Sequence, residues 1–112
     1  MRIARIIGNV TLSQRLPDLR AGSLLLAEPL DGDAVRSPGA SARRSSPAPE
    51  SLVVFDELGA GEGQLIAVSE GAEATMPFYP ARIPIDAYAA AIIDTVHIDE
   101  KKPQATAAKP RR

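Results

Sequence analysis

The stretch DELGAGEGQLIAVSEG, residues 56–71, sets Gly59, Gly61 and Gly63 within five positions and follows them with the apolar run LIAVS, residues 65–69. A short apolar run bounded by glycines reads as a strand entered through a tight turn. Glycine is what a turn with positive φ, or a close approach of backbones, requires. A phosphate-cradling loop also uses glycines, but it needs a helix after the loop whose N-terminus faces the anion. Here a strand follows, no Lys-Ser/Thr pair is present, and Glu62 would repel a phosphate. The loop is read as a tight turn, or as a place where backbones of several subunits crowd together.

Working outward, more strands appear on both sides. SLVVFDE, residues 51–57, leads into the glycine loop, and SLLLAEP, residues 23–29, stops at Pro29. RIARIIGNVTLS, residues 2–13, is β-branched, but its apolar positions do not keep one parity; Gly8 sits where the alternation breaks and marks a bulge in one long bent strand. Residues 14–22, with Pro17, Asp18 and Gly22, read as a loop. Downstream, residues 70–76 suit one helical turn, and residues 77–84, with three prolines, suit an extended segment. Asp86 before AYAAA predicts a short N-capped helix, and IIDTVHI, residues 92–98, predicts a closing strand. The fold class is therefore all-β with minor helix: a small five-stranded OB-like β-barrel, because closing a sheet removes its exposed edges.

Residues 31–50 are rich in Ser, Ala, Pro and Gly and nearly lack large apolar side chains, so they are expected to form a mobile loop inside a single domain spanning residues 1–100. Residues 101–112 are expected to be a basic flexible tail. Charge divides the same way: residues 1–100 carry a net −6, and the tail carries +5 from Lys101, Lys102, Lys109, Arg111 and Arg112. An acidic body repels a phosphate backbone, and four aromatic residues, Phe55, Phe78, Tyr79 and Tyr88, make a poor stacking surface. No nucleic-acid partner is expected.

The chemistry-bearing residues form no catalytic set. There is no cysteine, which excludes a disulfide scaffold, a thiolate metal site and a cysteine nucleophile. The single histidine, His97, shares a strand face with Asp99 but not with Asp94, and two ligands make a poor metal site. Asp56 and Glu57 are adjacent and point to opposite faces of a strand, so they are no acid–base pair. No metal, cofactor or enzymatic activity is expected. No apolar run approaches the roughly 20 residues that cross a bilayer, and the N-terminus does not read as a signal peptide, so the expectation is a cytosolic chain without a membrane partner.

Four blocks together, MRIARIIGNV, SLLLAEPLD, DELGAGEGQLIAVSEG and PIDAYAAAIIDTVHID, resemble the EutN/CcmL-type vertex proteins of bacterial microcompartments and carboxysomes. The resemblance covers about residues 1–30 and 51–99. Where the family often has small residues ending in arginine after the glycine equivalent to Gly71, this chain has Ala72-Glu73-Ala74-Thr75. The resemblance implies an OB-like barrel assembled as a homopentamer that caps the vertices of a polyhedral shell in the bacterial cytoplasm, with hexameric and pseudo-hexameric shell proteins as partners. It also implies that Gly59, Ala60, Gly61, Glu62 and Gly63 are candidates to line a narrow pore on the fivefold axis. Ile6, Leu24, Leu26 and Ile93 are candidates for the contact between subunits, and are expected to divide between that contact and the barrel core, with the side of each left open. Apart from the resemblance, a stand-alone OB-fold-like binding module is the alternative.

Overall fold

In a computed structural model, which describes residues 1–36 and 50–99, the apolar runs become five strands of one sheet. These are β1 (Arg2–Val10), β2 (Ser23–Pro29), β3 (Leu52–Asp56), β4 (Leu65–Glu70) and β5 (Ala87–Ile93). The sheet closes on itself in the order β1-β2-β3-β5-β4. All pairings are antiparallel except β3 with β5, which meet in parallel where Phe55 lies opposite Tyr88. This is the expected five-stranded OB-like barrel.

The interior is filled by Ala4, Ile6, Leu25, Ala27, Val54, Ile66, Val68, Ala87 and Ala89. Four of these nine are alanines, so opposite walls approach closely around a slim core. The bulge expected at Gly8 is present: β1 slips in register against β2 between Ile6 and Gly8. Ile6 points inward opposite Ala27, whereas Gly8, two residues later, lies opposite the outward Leu26. The extra residue turns the second half of β1 over.

A second cluster lies outside the barrel wall. Phe55, Phe78 and Tyr88 contact one another with ring centroids 5.2–6.4 Å apart. The Arg20 guanidinium lies 4.9 Å from the centre of the Phe78 ring. Gly22 touches this cluster so closely that any Cβ there would stand 2.5 Å from Phe55 Cζ.

Five local expectations are corrected. The first strand stops at Val10 rather than running to residue 13, because its pairing with β2 ends there, opposite Leu24. The segment after Asp86 is strand β5, not a helix: it fills the gap between β3 and β4, and closing the barrel outweighs the helical preference of alanine. Asp86 uses its backbone oxygen to accept the Gly71 N–H, at 2.9 Å. The closing strand ends at Ile93 rather than running to residue 98, because its partner β4 begins at Leu65, opposite Ile93. Residues Gly71–Phe78 form a 3-10 helix that runs through Pro77, so the segment after residue 76 is not extended throughout; burial of Phe78 in the aromatic cluster fixes its end. Within residues 31–50, Gly32–Arg36 is a short helix, α1, rather than loop, and Asp31 caps it by accepting the Ala34 N–H at 2.8 Å. The rest of that expected loop, residues 37–49, and the expected basic tail lie outside the described residues.

Candidate functional site: the glycine loop and two apolar walls

The loop between β3 and β4 is held by one carboxylate. Asp56, the last residue of β3 and almost fully buried, accepts the backbone N–H groups of Leu58 (3.2 Å), Gly59 (2.9 Å) and Ala60 (3.0 Å). Three backbone donors on one side chain make a local clamp. Gly59 and Gly63 take φ of +87° and +91°, which explains two of the three glycines. The loop then joins the wall of the barrel: the Gly63 N–H donates to Ile6 O at 2.8 Å, and the Ile6 N–H donates to Gln64 O at 2.9 Å.

The five pore-lining candidates therefore divide. Ala60 is half-buried and packs against the barrel core of its own subunit. Gly61 is half-buried and donates its N–H to Gln64 Oε1 at 2.7 Å. Gly59, Glu62 and Gly63 are exposed, and Glu62 is the one charged side chain among the five.

The subunit-contact candidates also divide. Ile6 is fully buried in the barrel core, so its side chain is not a surface contact; the bulge that follows it leaves it on the inner face. Leu24 and Leu26 point outward, because Leu25 and Ala27 between and beside them fill the interior. Pairing sets Leu26 beside Gly8 and Val53, and Leu24 beside Val10 and Phe55. Val53 is 48% exposed, so this wall presents Val10, Leu24, Leu26 and Val53 to the outside. Ile93 stands on a different wall. It pairs with Leu65, and Ala67 pairs with both Ile3 and Ala91. The barrel thus carries two distinct apolar walls.

Sequence reading missed Val53, Leu65 and Asp56 as members of these surfaces. Val53 was legible in principle, as the outward residue of the LVVFD alternation. The signal for Asp56 was an aspartate ahead of a glycine pair, the setting in which its side chain bonds backbone amides further on.

Elsewhere two ion pairs tie separate segments together. Arg2 and Glu70 form a two-point ion pair, with Nε–Oε2 at 2.7 Å and Nη2–Oε1 at 2.9 Å; the hydrogen bond from Arg2 holds the Glu70 carboxyl below its usual range. Glu57 accepts the Tyr88 hydroxyl at 3.2 Å and pairs with Arg20 at 3.2 Å. Burial, and then the hydrogen bond to Glu57, push the Tyr88 hydroxyl above the usual phenol value. Among the described residues no three His, Cys, Asp or Glu side chains come together as a metal site, and no helix is long and apolar enough to cross a membrane.

Known proteins resemble this chain in sequence and in fold. The family model described as "Ethanolamine utilisation protein EutN/carboxysome" matches residues 1–94. This chain belongs to the EutN/CcmL family. It is 31% identical to the carboxysome shell vertex protein CcmL of Nostoc sp., over 90% of both chains. It is 31% identical to the microcompartment shell vertex protein PduN of Salmonella typhimurium, over 86% of this chain and 98% of that one. Its structure matches the GrpN pentameric microcompartment shell protein of Rhodospirillum rubrum with a TM-score of 0.67 at 27% identity, covering 88% of this chain and all of that one. These relatives are structural shell proteins, and the five-stranded barrel is the fold they share with this member of the EutN/CcmL family.

Proposed function

We propose that this chain is a structural subunit that forms homopentamers and caps the vertices of a bacterial microcompartment, without catalysing a reaction. A layer of hexagonal tiles is flat; inserting pentagons lets it close. A ring of five needs a head-to-tail contact, in which two different surfaces of each subunit meet. The observation that supports the reading is the pair of apolar walls on one rigid barrel, one centred on Leu24, Leu26 and Val53 and the other on Leu65 and Ile93. Each wall covers the other wall of the next copy. The partners outside the ring are hexameric and pseudo-hexameric shell proteins, and the setting is the shell within the bacterial cytoplasm.

In this arrangement the clamped loop lies near the fivefold axis. Gly59, Glu62 and Gly63 then border the axial opening, and five copies of Glu62 give it a negative rim that favours cations over anions.

Native mass measurement tests the assembly. Five copies of the 11.8 kDa chain give a species of about 59 kDa. Mixing that species with hexameric shell tiles then gives closed polyhedra by electron microscopy. A monomer or dimer at micromolar concentration overturns the reading.

A further inference from the structure

The barrel closes over only part of β1. Arg2–Arg5 pair with β4, and Ile6 bonds Gly63 and Gln64, after which β4 has no more residues to offer. From Ile7 to Val10 the strand continues, paired with β2 on one side. Among the described residues, no strand bonds its other side. An open groove of about 590 Å³ meets the far end of this edge at Asn9 and Val10, and is bordered by Asn9–Arg15, by Gly22–Leu25 and by Ala60. A free strand edge beside a groove is a place where another strand adds.

The same chain carries a segment of the matching kind. Past Ile93, where β5 loses its β4 partner, Asp94–Ile98 runs on without strand pairing. Among the described residues no backbone hydrogen bond holds it. Its sequence is nonetheless that of a strand, with Thr95, Val96 and Ile98 β-branched and Val96 37% exposed. Five extended residues reach about 17 Å, enough to leave their own barrel. Charge agrees: Arg15 borders the groove and Asp94 lies on the segment, and neither has an ion-pair partner among the described residues.

Resting on the ring assembly proposed above, we infer that Asp94–Ile98 of each subunit adds as a strand to the free Ile7–Val10 edge of the neighbouring copy, with Arg15 of that copy receiving Asp94. The edge and the segment are different surfaces, so the contact runs head to tail and is satisfied all the way around a closed ring. It continues the proposed wall contact, since the segment extends directly from Ile93 and the groove adjoins Val10 and Leu24.

Hydrogen exchange on the assembled full-length chain tests this. The amides of Thr95–Ile98 that face the neighbour exchange about tenfold or more slower than unstructured amides, as do those on the free edge of Ile7–Val10. Thr95→Pro and Val96→Pro provide a second reading. Successive N–H groups on a strand point to opposite sides, and proline removes one. At least one of the two variants raises the concentration needed for ring assembly about tenfold or more, while the melting of the barrel, which this segment does not support, stays the same. Rings of confirmed size whose Thr95–Ile98 amides exchange at unstructured rates overturn the inference and leave the ring reading standing. So do proline variants that both assemble like the parent chain. A parent chain that forms no ring overturns both.

Discussion

A methyl group on Gly22 would stand 2.5 and 2.6 Å from Phe55 Cζ and Cε1, and 3.3 Å from the Asp56 backbone oxygen. The Phe55 ring has no room to retreat, because Phe78 and Tyr88 pack on it. Gly22→Ala should therefore cost about 1–3 kcal/mol, read as a lower urea midpoint at unchanged slope. Asp56→Ala removes one acceptor from three backbone donors, and its cost should fall in the same range, about 1–3 kcal/mol. Two titrating groups give the stability profile its pH limbs. The Glu70 carboxyl is lowered in the folded chain, so its contribution is present above the unfolded carboxylate value and is lost as pH falls through the folded one. Arg2 and Glu70 are 49% and 34% exposed, so this limb is worth less than about 1 kcal/mol, and Glu70→Gln should flatten it. The Tyr88 hydroxyl is raised, so its contribution is complete below the unfolded value near about 10 and is lost as pH rises through the folded one. Tyr88→Phe should flatten the alkaline limb in denaturation curves taken from pH 8 to 11.5.

Strands β1 to β4 were legible because each is a short apolar run set off by glycine or proline, and the bulge was legible because Gly8 breaks the parity of β1. Strand β5 was not. Its alanines favour a helix locally, and only the need to fit a thin strand between β3 and β4 decides otherwise. The walls were half legible: Leu24 and Leu26 could be named, but an isoleucine inside a barrel and one on its outer wall read alike in a sequence, so the inward position of Ile6 could not. Their outward position carries a prediction. Leu26→Lys and Val53→Lys leave the interior untouched, so the barrel should keep its far-UV spectrum and melt cooperatively. Assembly should weaken by about tenfold or more, because each lysine brings an unpaired charge to an apolar contact. Assembly of both variants at wild-type concentrations would remove this wall from the contact.

For the molecule as a whole, the proposed ring multiplies small features by five. Glu62 is a single exposed carboxylate on one chain and a ring of charge in the assembly. Glu62→Lys reverses that ring, so the flux of small anions through reconstituted shells should rise several-fold while that of cations falls. Unchanged flux would move the loop away from the opening. The slim alanine-lined interior has a mechanical result as well. With nine small or branched side chains packed between close walls, little slack remains for a barrel to flatten or stretch. Under osmotic load, strain therefore passes to the seams between neighbours, and a shell built with this protein should tear along its joints while every brick stays whole.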